Sequence, residues 1–490
     1  MKIIIVGAGP GGLAAGMLLA HGGHEVHIFE KADQPGGRTS EIRLKDFRFD
    51  VGPTFLMMKF VLDEIFTATG RKSDDYLDFM QLPLMYRLQF GDRHLDIHHD
   101  RTKTEAEIKR VFGESGEGLK KFLRREKKRY DNLMPILLAH NNQPLDALRW
   151  RFLRSIPHFA IGRSIYSILG DYFRQPDLKT CFTFQSKYLG MSPWNCPGAF
   201  TIVPYVEHSQ GVYHVRGGLS EISRQMARAI EEDGGQIHYD TPIRKIVVQK
   251  GRAVGVELEG GELVKADRIV LNADFGHAVE NLFDDGVLRK HSPQKLVRKD
   301  LSCSIFMLYL GLNKQYKLNH NTIVLANNYR KNVEDIFGGQ LTERDISFYV
   351  RDHSTTDPTL APEGKTALYV LVPVPNCRAD IDWSEAGPRL REQTLDALEN
   401  RLGLSDIRSS IEVEKMVTPA DWRNSYNVYE GAVFNLSHRL RQMLWFRPHN
   451  RFEDVKNVYL TGGGTHPGSG LPTIWHSGRL AAELIDRSSS

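Results

Sequence analysis

The chain has 490 residues, a formal net charge of +4 at pH 7, and a composition of 41% hydrophobic and 25% charged residues. This balance is typical of a globular protein with a large core, and the length favours two interleaved domains. The small net charge and the lack of an arginine-rich helix or aromatic stacking motif argue against a nucleic acid partner. The four cysteines are widely scattered and His466 and His476 lack further ligands at metal spacing, so we expect reduced thiols and no metal site.

The first predicted elements are a strand, a glycine-rich turn, a helix and a second strand. An apolar run at 3–6 is followed by Gly-Ala-Gly-Pro-Gly-Gly at 7–12 and by small apolar residues at 13–19. A second apolar alternation at 25–29 ends at an acid, Glu30. This order and spacing are typical of a dinucleotide-binding unit, in which the pyrophosphate lies at the N-terminus of the helix.

Three glycines and the acid have separate roles in such a unit. Gly7 makes the tight turn, Gly9 lets the backbone approach the pyrophosphate, and Gly12 lets the helix pack close to the strand. Glu30 lies where a carboxylate accepts the ribose hydroxyls and repels a 2′-phosphate. An ordinary glycine turn is the alternative, but the strands, the helix and the acid together favour a dinucleotide.

The segment after Glu30 indicates which dinucleotide is bound. Gly36, Gly37 and Arg38 follow six residues later, and a nicotinamide site has no need of them. An arginine here can neutralise the diphosphate of the longer flavin dinucleotide. The chain shows no second glycine fingerprint with a downstream acid for NADPH, so we expect a reduced flavin to pass its electrons to a quinone or to oxygen.

The middle of the chain is predicted to return to the cofactor sheet. Residues 57–213 read as largely helical with proline breaks. Two glycines then open a helix at 220–232, and four short strands are predicted at 236–239, 243–249, 253–258 and 267–271. The helix followed by short strands is typical of a second contribution to a flavin site.

The last third predicts a substrate domain and a second glycine cradle. Strands at 304–312 and 366–374 indicate the sheet of the substrate domain. A strand at 455–460, the loop Gly462–Gly464 and a helix at 473–485 follow. Glycines between a strand and a helix again place free N–H groups toward a ligand.

These elements give an expected domain plan of α/β (α+β overall) type. The cofactor domain is predicted in three parts, at 1–56, 214–275 and 451–490. Residues 57–213 are assigned to a helical region for substrate and membrane contact, and residues 276–450 to the substrate domain.

Several blocks of the chain resemble the bacterial and fungal type phytoene desaturases, which are carotenoid desaturases. The blocks occur in the same order from Gly7 to Gly478. They are found at 49–54, 272–274, 302–304, 309–312, 361–364, 445–450 and 465–468. The glycine motif alone resembles the wider amine-oxidase-like flavoprotein superfamily.

The resemblance implies an enzyme that binds FAD and removes hydrogen from a long polyene hydrocarbon, either phytoene or a shorter thirty-carbon analogue. It implies a Rossmann-like FAD-binding domain of the amine-oxidase and GDI-like type, interleaved with a mixed-sheet substrate domain. The implied cofactor positions are Gly7, Gly9, Gly12, Glu30, Lys31, Gly37, Arg38, Pro53, Thr54, Val247, Gly462, Gly463 and Gly464. Many members of the superfamily have an acid after the last strand, where this chain has Thr461-Gly462-Gly463.

The general base and the exact reaction are left open by the sequence. His466 is a candidate residue beside the flavin by motif position, although a histidine next to a proline in a tight loop is as often structural. A carotenoid oxygenase or ketolase would share the cofactor blocks. A non-catalytic carrier of prenyl lipids and an amine oxidase are further alternatives with a related fold.

Residues 146–173 are the predicted membrane contact. Arg149, Arg151, Arg154 and Arg163 alternate there with aromatic and aliphatic residues, a pattern that suits anionic headgroups and an interface. An ordinary helix with arginines on its solvated face is the alternative. No apolar stretch approaches the length of a spanning helix and the first strand begins at residue 2, so we expect a cytoplasmic protein without a signal peptide that binds membranes peripherally.

Overall fold

The computed structural model describes residues 1–140 and 144–488. Its strands are β1 Lys2–Val6, β2 Glu25–Phe29, β3 Glu41–Leu44, β4 Phe47–Asp50, β5 Phe79–Gln81, β6 Leu84–Phe90, β7 Arg93–His98, β8 Tyr213–Val215, β9 Gln236–His238, β10 Ile243–Gln249, β11 Arg252–Leu258, β12 Leu263–Lys265, β13 Arg268–Leu271, β14 Ser304–Leu312, β15 Asn321–Leu325, β16 Phe348–Asp352, β17 Thr366–Val374, β18 Ile411–Val417 and β19 Val458–Leu460. Its helices are α1 Pro10–His21, α2 Lys59–Ala68, α3 Arg101–Phe112, α4 Glu117–Leu137, α5 Trp150–Ser155, α6 Ile165–Leu169, α7 Pro176–Cys181, α8 Ile202–Gln210, α9 Ser220–Glu232, α10 Phe275–Asn281, α11 Pro293–Leu296, α12 Tyr329–Phe337, α13 Trp383–Leu402, α14 Ile407–Ser410, α15 Pro419–Asn424 and α16 Leu471–Arg487.

A parallel sheet of five strands forms the first layer, in the order β19-β13-β1-β2-β9. Its strands are short and apolar, and β1 is buried along almost its whole length, as expected for a parallel sheet covered on both faces. Helix α1 packs against α9 and α16. The crossing of α1 and α16 is close because a Cβ atom at Gly478 would lie 2.4 Å from the Gly11 carbonyl oxygen. This sheet brings together segments from the beginning, middle and end of the chain.

A second sheet of seven strands has the order β18-β14-β17-β16-β15-β6-β7. Its neighbours pair antiparallel except for β15 and β6, which are parallel. Every residue of β14 is buried. This sheet forms the wall of the site described below.

Strands β6 and β7 differ from the sequence-based prediction, which assigned a largely helical structure to residues 57–213. β7 lies at the edge of the second sheet with β6 beside it, and the side chains of Arg87 and Asp96 pair across them at 2.7 and 2.8 Å. Apolar and polar residues do alternate in both strands, but the two runs are only seven and six residues long and stand among longer helices, so the region as a whole is predicted to be helical.

No helix in residues 1–140 and 144–488 has both the length and the apolar character needed to cross a membrane.

Candidate active site

The glycine turn between β1 and α1 has the geometry that a pyrophosphate needs. Gly7 has a φ of +95°, which favours glycine, and its N–H donates to the Phe29 carbonyl at 2.8 Å. A Cβ atom at Gly12 would lie 2.4 Å from the Gly7 carbonyl oxygen, so the approach of helix to turn requires glycine. Helix α1 starts at Pro10, where a proline suits the first turn. Its free N–H groups face the cavity lined by Gly7 and Gly9.

Glu30 is held at the carboxyl end of β2. It is only 6% exposed, and its two carboxylate oxygens accept hydrogen bonds from the Ala8 N–H at 2.7 Å and the Ala32 N–H at 3.0 Å. Each oxygen retains a further acceptor site. A buried, oriented carboxylate at this edge of the sheet suits the hydroxyls of a ribose.

Arg38 lies beside the turn in a 3₁₀ helix that begins after Gly36, whose φ is +115°. Its Nη1 donates to the Val433 carbonyl at 2.8 Å and lies 3.8 Å from Asp274 Oδ2. The guanidinium is thus oriented from one side and retains donors toward the cavity. Arg38 is therefore placed to neutralise a diphosphate.

Lys31 occupies the neighbouring wall of the same cavity. Its Nζ donates to the Ser425 carbonyl at 2.8 Å, and burial lowers its pKa below the usual range for lysine. A lysine held in this way lines the site as a fixed donor.

Asn272 connects the three strand ends that build the nucleotide half of the site. Its Nδ2 donates to the Gly7 carbonyl at 3.1 Å, and its Oδ1 accepts from the Thr461 hydroxyl at 2.9 Å. The Gly462 N–H donates to Ser477 Oγ at 2.9 Å, which directs the loop after β19. Thr461 thus bonds to protein at the position where many superfamily members have an acid. The sequence reasoning noticed Asn272 as part of a block but did not assign it to the site.

One continuous cavity of about 1220 Å³ runs from the glycine turn to the second sheet. This volume exceeds the roughly 300–1,000 Å³ typical of a pocket for one small ligand. Among the predicted cofactor positions, those that line it are Gly7, Gly9, Glu30, Lys31, Gly37, Arg38, Pro53, Thr54, Gly462, Gly463 and Gly464. Gly12 lies behind the lining, where it sets the distance between helix and turn.

Besides Gly12, two predicted residues lie outside the lining, and the structure corrects their expected place in it. Val247 lies further along β10, whereas Pro242, Ile243 and Arg244 at the start of that strand line the cavity. Only the first residues of this seven-residue strand reach the cavity. The sequence alone does not show which residues of the strand lie next to the cavity.

His466 is the second corrected expectation. It is 2% exposed, its Nε2 bonds to the Ala139 carbonyl at 2.8 Å, and it does not line the cavity. Burial lowers the pKa of this histidine to about 3, so its ring is neutral. Its contact with the segment just after α4 holds the ring outside the lining of the cavity.

The far half of the cavity is apolar and aromatic. The second sheet, a 3₁₀ helix at Phe184–Leu189, the segment before α2 and the start of α12 all contribute side chains to it. These are Phe55, Met57, Phe184, Tyr188, Ile323, Leu325, Tyr329, Phe348, Tyr349 and Leu371. These residues come from distant parts of the chain, so no local motif identifies them. An apolar lining of this kind accepts a hydrocarbon and excludes water.

The segment 146–173 and the residue before it present an exposed apolar patch. We use this name for Leu145, Leu148, Trp150, Leu153, Ile156 and Ile161, of which Trp150 is 77% exposed. Phe152 anchors the segment because its ring lies 5.4 Å from that of Trp445. Contiguous exposed apolar side chains of this size are typical of interaction sites.

The four arginines of this segment are not equivalent. Arg163 forms a bidentate pair with Asp171, both distances being 2.9 Å, and Arg149 pairs with Asp146 at 2.8 Å. Arg151 and Arg154 are exposed. Arg151 and Arg154 are therefore freer than Arg163 to contact an interacting partner.

The parallel sheet, the glycine turn and the buried ribose acid together define a dinucleotide-binding flavoprotein. A family model described as flavin containing amine oxidoreductase matches residues 10–486. The chain therefore belongs to this flavoprotein family and, by its curated relatives, to the carotenoid desaturases within it.

Two relatives and one solved structure illustrate the similarity. The chain is 49% identical to a 4,4′-diapophytoene desaturase (4,4′-diapolycopene-forming) of Methylomonas sp., over 99% of this chain and 95% of the relative. It is 38% identical to a zeta-carotene-forming phytoene desaturase of Myxococcus xanthus, over 99% and 93% of the two chains. A putrescine oxidase structure covers 99% of both chains with a TM-score of 0.64 at 15% identity, which shows the shared fold.

Proposed function

We propose that this protein is an FAD-dependent desaturase that introduces double bonds into a polyene hydrocarbon of the thirty-carbon diapophytoene class. The observation that carries the substrate class is the 49% identity, over nearly the whole chain, to a 4,4′-diapophytoene desaturase, compared with 38% to a forty-carbon phytoene desaturase. The reaction class follows from the carotenoid desaturase family.

The residues of the nucleotide half fit FAD. A Cβ atom at Gly9 would lie 2.7 Å from Asn272 Nδ2, so any larger residue at this position would collide with Asn272. With glycine the turn stays open to a ligand. Glu30 would bind the ribose hydroxyls and Arg38 would bind the diphosphate. The loop Gly462–Gly464 would contact the flavin end of the cofactor. When bound, FAD supplies the acceptor for the hydride that the substrate loses.

The apolar half of the cavity supports a long hydrocarbon substrate. Its aromatic and aliphatic lining, described above, would align a rod-like chain with the nucleotide half of the same cavity and exclude water. Such alignment alone can supply a large part of the barrier reduction, because it replaces a bimolecular encounter.

The exposed apolar patch supports peripheral attachment to a membrane, where such hydrocarbons dissolve. Trp150 and Ile161 are more than two-thirds exposed, at 77% and 70%, and the exposed Arg151 and Arg154 lie in the same segment. Apolar side chains that enter the interface and arginines that bind anionic headgroups act together in this kind of attachment.

A quinone or oxygen is the proposed electron acceptor. The sequence has one glycine fingerprint that is followed by an acid for the ribose, and we assign that fingerprint to FAD. No second fingerprint is left to bind NADPH. Enzyme reduced anaerobically with substrate should be reoxidised by a quinone or by oxygen. Saturable stimulation by micromolar NADPH would contradict this assignment.

Production of pigment in cells tests the proposed function. We expect cells that make the thirty-carbon hydrocarbon to accumulate coloured desaturated products with this protein, and cells that make phytoene to accumulate fewer. Chromatography separates the products by chain length and by number of double bonds. Oxygenated products would indicate an oxygenase instead, and purified protein without a flavin spectrum would indicate a lipid carrier.

A further inference from the structure

A buried carboxyl group lies directly behind the apolar half of the cavity. Glu207 of α8 is fully buried, with 0% exposure. It accepts hydrogen bonds from Gln185 Nε2 at 2.7 Å, from the Tyr188 hydroxyl at 3.1 Å and from the Tyr86 hydroxyl at 3.4 Å. Among the described residues its hydrogen-bond partners are all neutral, which is uncommon for a buried carboxyl.

Tyr188 connects this carboxyl to the cavity. Of the three partners of Glu207, only Tyr188 lines the cavity. Its ring is fixed edge-on between Phe55 and Phe184, both of which also line the cavity, with centroid distances of 5.5 Å to each. A single hydroxyl group, that of Tyr188, therefore links the cavity to Glu207 through a hydrogen bond.

The other titratable groups of the apolar half are less suited to take up a proton. The Tyr349 hydroxyl donates to Asn321 Oδ1 at 2.5 Å, and an amide oxygen does not retain a proton. Burial lowers the pKa of Lys187 only to about 8, which leaves this lysine protonated at pH 7. Its Nζ lies 5.5 and 6.0 Å from the ring centroids of Phe337 and Tyr329, contacts that favour the ammonium form.

We propose that Tyr188 and Glu207 form the proton acceptor of the desaturation. This inference rests on the proposed function. Each new double bond removes a hydride and a proton from neighbouring carbons, and FAD, when bound, would supply the acceptor for the hydride and its electron pair. The proton leaves carbon for the Tyr188 hydroxyl oxygen while the hydroxyl proton of Tyr188 moves to Glu207 Oε1. The electron pair of the second C–H bond becomes the double bond, so the substrate is oxidised by two electrons and the flavin is reduced by two.

The surroundings of Glu207 allow it to gain and lose a proton near neutral pH. Burial raises the pKa of Glu207 to about 7, although the hydrogen bonds from Gln185, Tyr188 and Tyr86 oppose this shift. The next residue along α8, His208, is neutral because burial lowers its pKa to about 4. A carboxyl group that titrates close to the working pH is an efficient acid or base.

Two further described neighbours of the relay, Cys181 and Tyr349, add no charge. Burial raises the pKa of the Cys181 thiol, whose charge would act on Tyr86, and that of Tyr349, whose charge would act on Tyr188. Both groups therefore stay neutral at pH 7.

Single-turnover reduction of the flavin tests the relay. Holoenzyme with the thirty-carbon hydrocarbon is followed anaerobically between pH 5.5 and 9. We expect the wild-type rate to rise with pH and level off above about 7. Glu207→Gln and Tyr188→Phe should each lower the rate by about 10² to 10⁴-fold, and Glu207→Gln should abolish the dependence on pH. Tyr86→Phe is the matched control, because it removes a hydroxyl from the same carboxyl without reaching the cavity, and we expect a change of only a few-fold.

An infrared titration separates a relay from a structural network and needs no substrate. The carboxyl absorption of Glu207 should titrate near pH 7 in wild-type protein and be absent from Glu207→Gln. Glu207→Gln and Tyr188→Phe with full flavin content and rates within a few-fold of wild type would overturn the relay while leaving the desaturase function intact. Retention of the pH dependence in Glu207→Gln, together with its loss in Lys187→Met, would assign the proton to Lys187 instead. Wild-type enzyme that cannot reduce its flavin with any polyene hydrocarbon would overturn the proposed function and the relay with it.

Discussion

The distances around Gly12 make the turn between β1 and α1 sensitive to a single methyl group. The nearest atom to a Cβ at Gly12 is a backbone carbonyl oxygen at 2.4 Å, and the next are side-chain atoms of Asn272 at 3.1 Å. A backbone atom in this position moves only if the turn itself moves. Because Asn272 also bonds to Gly7 and Thr461, such a shift reaches all three strand ends of the site.

We therefore predict that Gly12→Ala lowers both FAD content and stability. The added methyl should cost about 1–3 kcal/mol of unfolding free energy, as overpacking commonly does. Urea unfolding and the ratio of flavin to protein absorbance measure the two effects. Gly260→Ala is the control, since a Cβ there meets no atom within 4 Å. Full flavin occupancy in Gly12→Ala would contradict this account of the turn.

At the scale of elements, a buried ion pair joins the segment after the cofactor turn to the second sheet. Arg351 of β16 is 0% exposed and its Nη1 lies 2.8 Å from Asp50 Oδ2 at the end of β4. Asp50 Oδ1 also accepts from the Ser220 N–H at the start of α9 at 3.0 Å. Burial opposes the ionisation of Asp50, but Arg351 and these backbone donors lower its pKa below the usual value.

Removal of one partner should be more costly than removal of both. We predict that Arg351→Met destabilises the protein by about 3–5 kcal/mol, because it leaves the Asp50 charge buried and uncompensated. The double variant Asp50→Asn, Arg351→Met should recover part of that loss in urea unfolding. Arg93→Met breaks an exposed pair with Asp177 and serves as a control, with an expected change below about 1 kcal/mol. Equal losses of unfolding free energy for Arg351→Met and for the control would show that the buried pair stabilises the protein no more than an exposed pair does.

The segment 146–173 is the second element with a testable role. We predict that Leu148→Ser, Trp150→Ser and Ile161→Ser together release the protein from anionic liposomes, because they remove exposed apolar side chains that enter the interface. Arg151→Gln with Arg154→Gln should weaken binding partially, at about 1 kcal/mol for each arginine, and salt should reduce this share. Sedimentation with liposomes measures both effects.

Substitutions in exposed apolar residues elsewhere provide the control for this segment. Leu263→Ser and Val297→Ser should leave sedimentation with liposomes unchanged. If the triple variant binds liposomes as the wild type does, the segment is an ordinary part of the helical region and the attachment lies elsewhere.

At the scale of the whole molecule, several histidines are buried in the neutral form. Burial lowers the pKa of His208 to about 4, and the pKa values of His353 and His466 to about 3. In the unfolded chain a histidine has a pKa of about 6.5. The unfolded state therefore binds more protons below that pH, so the free energy of unfolding falls as the pH falls from about 6.5 toward 4.

We predict that these histidines destabilise the protein in acid. Each of the three should contribute roughly 1.4 kcal/mol per pH unit within this window, and Glu207, whose raised pKa acts with the opposite sign, should offset about one such share. Urea unfolding at pH 8, 6 and 5 measures the slope, and His208→Gln should reduce it by about one histidine's share. The effect of the same variant at pH 8, where the ring is neutral in both states, isolates the loss of packing. The same slope in His208→Gln as in wild type between pH 6.5 and 5 would contradict the prediction.

The sequence by itself determined the elements whose signal is local. The glycine turn at Gly7–Gly12, the acid Glu30, the helix at 220–232 and the strands at 304–312 and 366–374 agree with the structure because backbone conformation and apolar periodicity are properties of neighbouring residues. The turn and the carboxylate indicated a dinucleotide, and the nearby segment Gly36, Gly37 and Arg38 indicated that this dinucleotide is a flavin.

The tertiary structure alone decided which residues share the apolar half of the cavity. The sequence-based prediction missed the strands β6 and β7, because their alternating runs are short and lie among longer helices. It misplaced His466 and Val247, because burial and depth depend on what packs around a loop or a strand. Tyr188 and Glu207 lie 19 positions apart, and no recognisable motif surrounds either of them. Only the packing of α8 against the 3₁₀ helix brings the Tyr188 hydroxyl within 3.1 Å of Glu207 Oε1. Side chains from distant elements meet only after the sheets have packed, which no local pattern encodes.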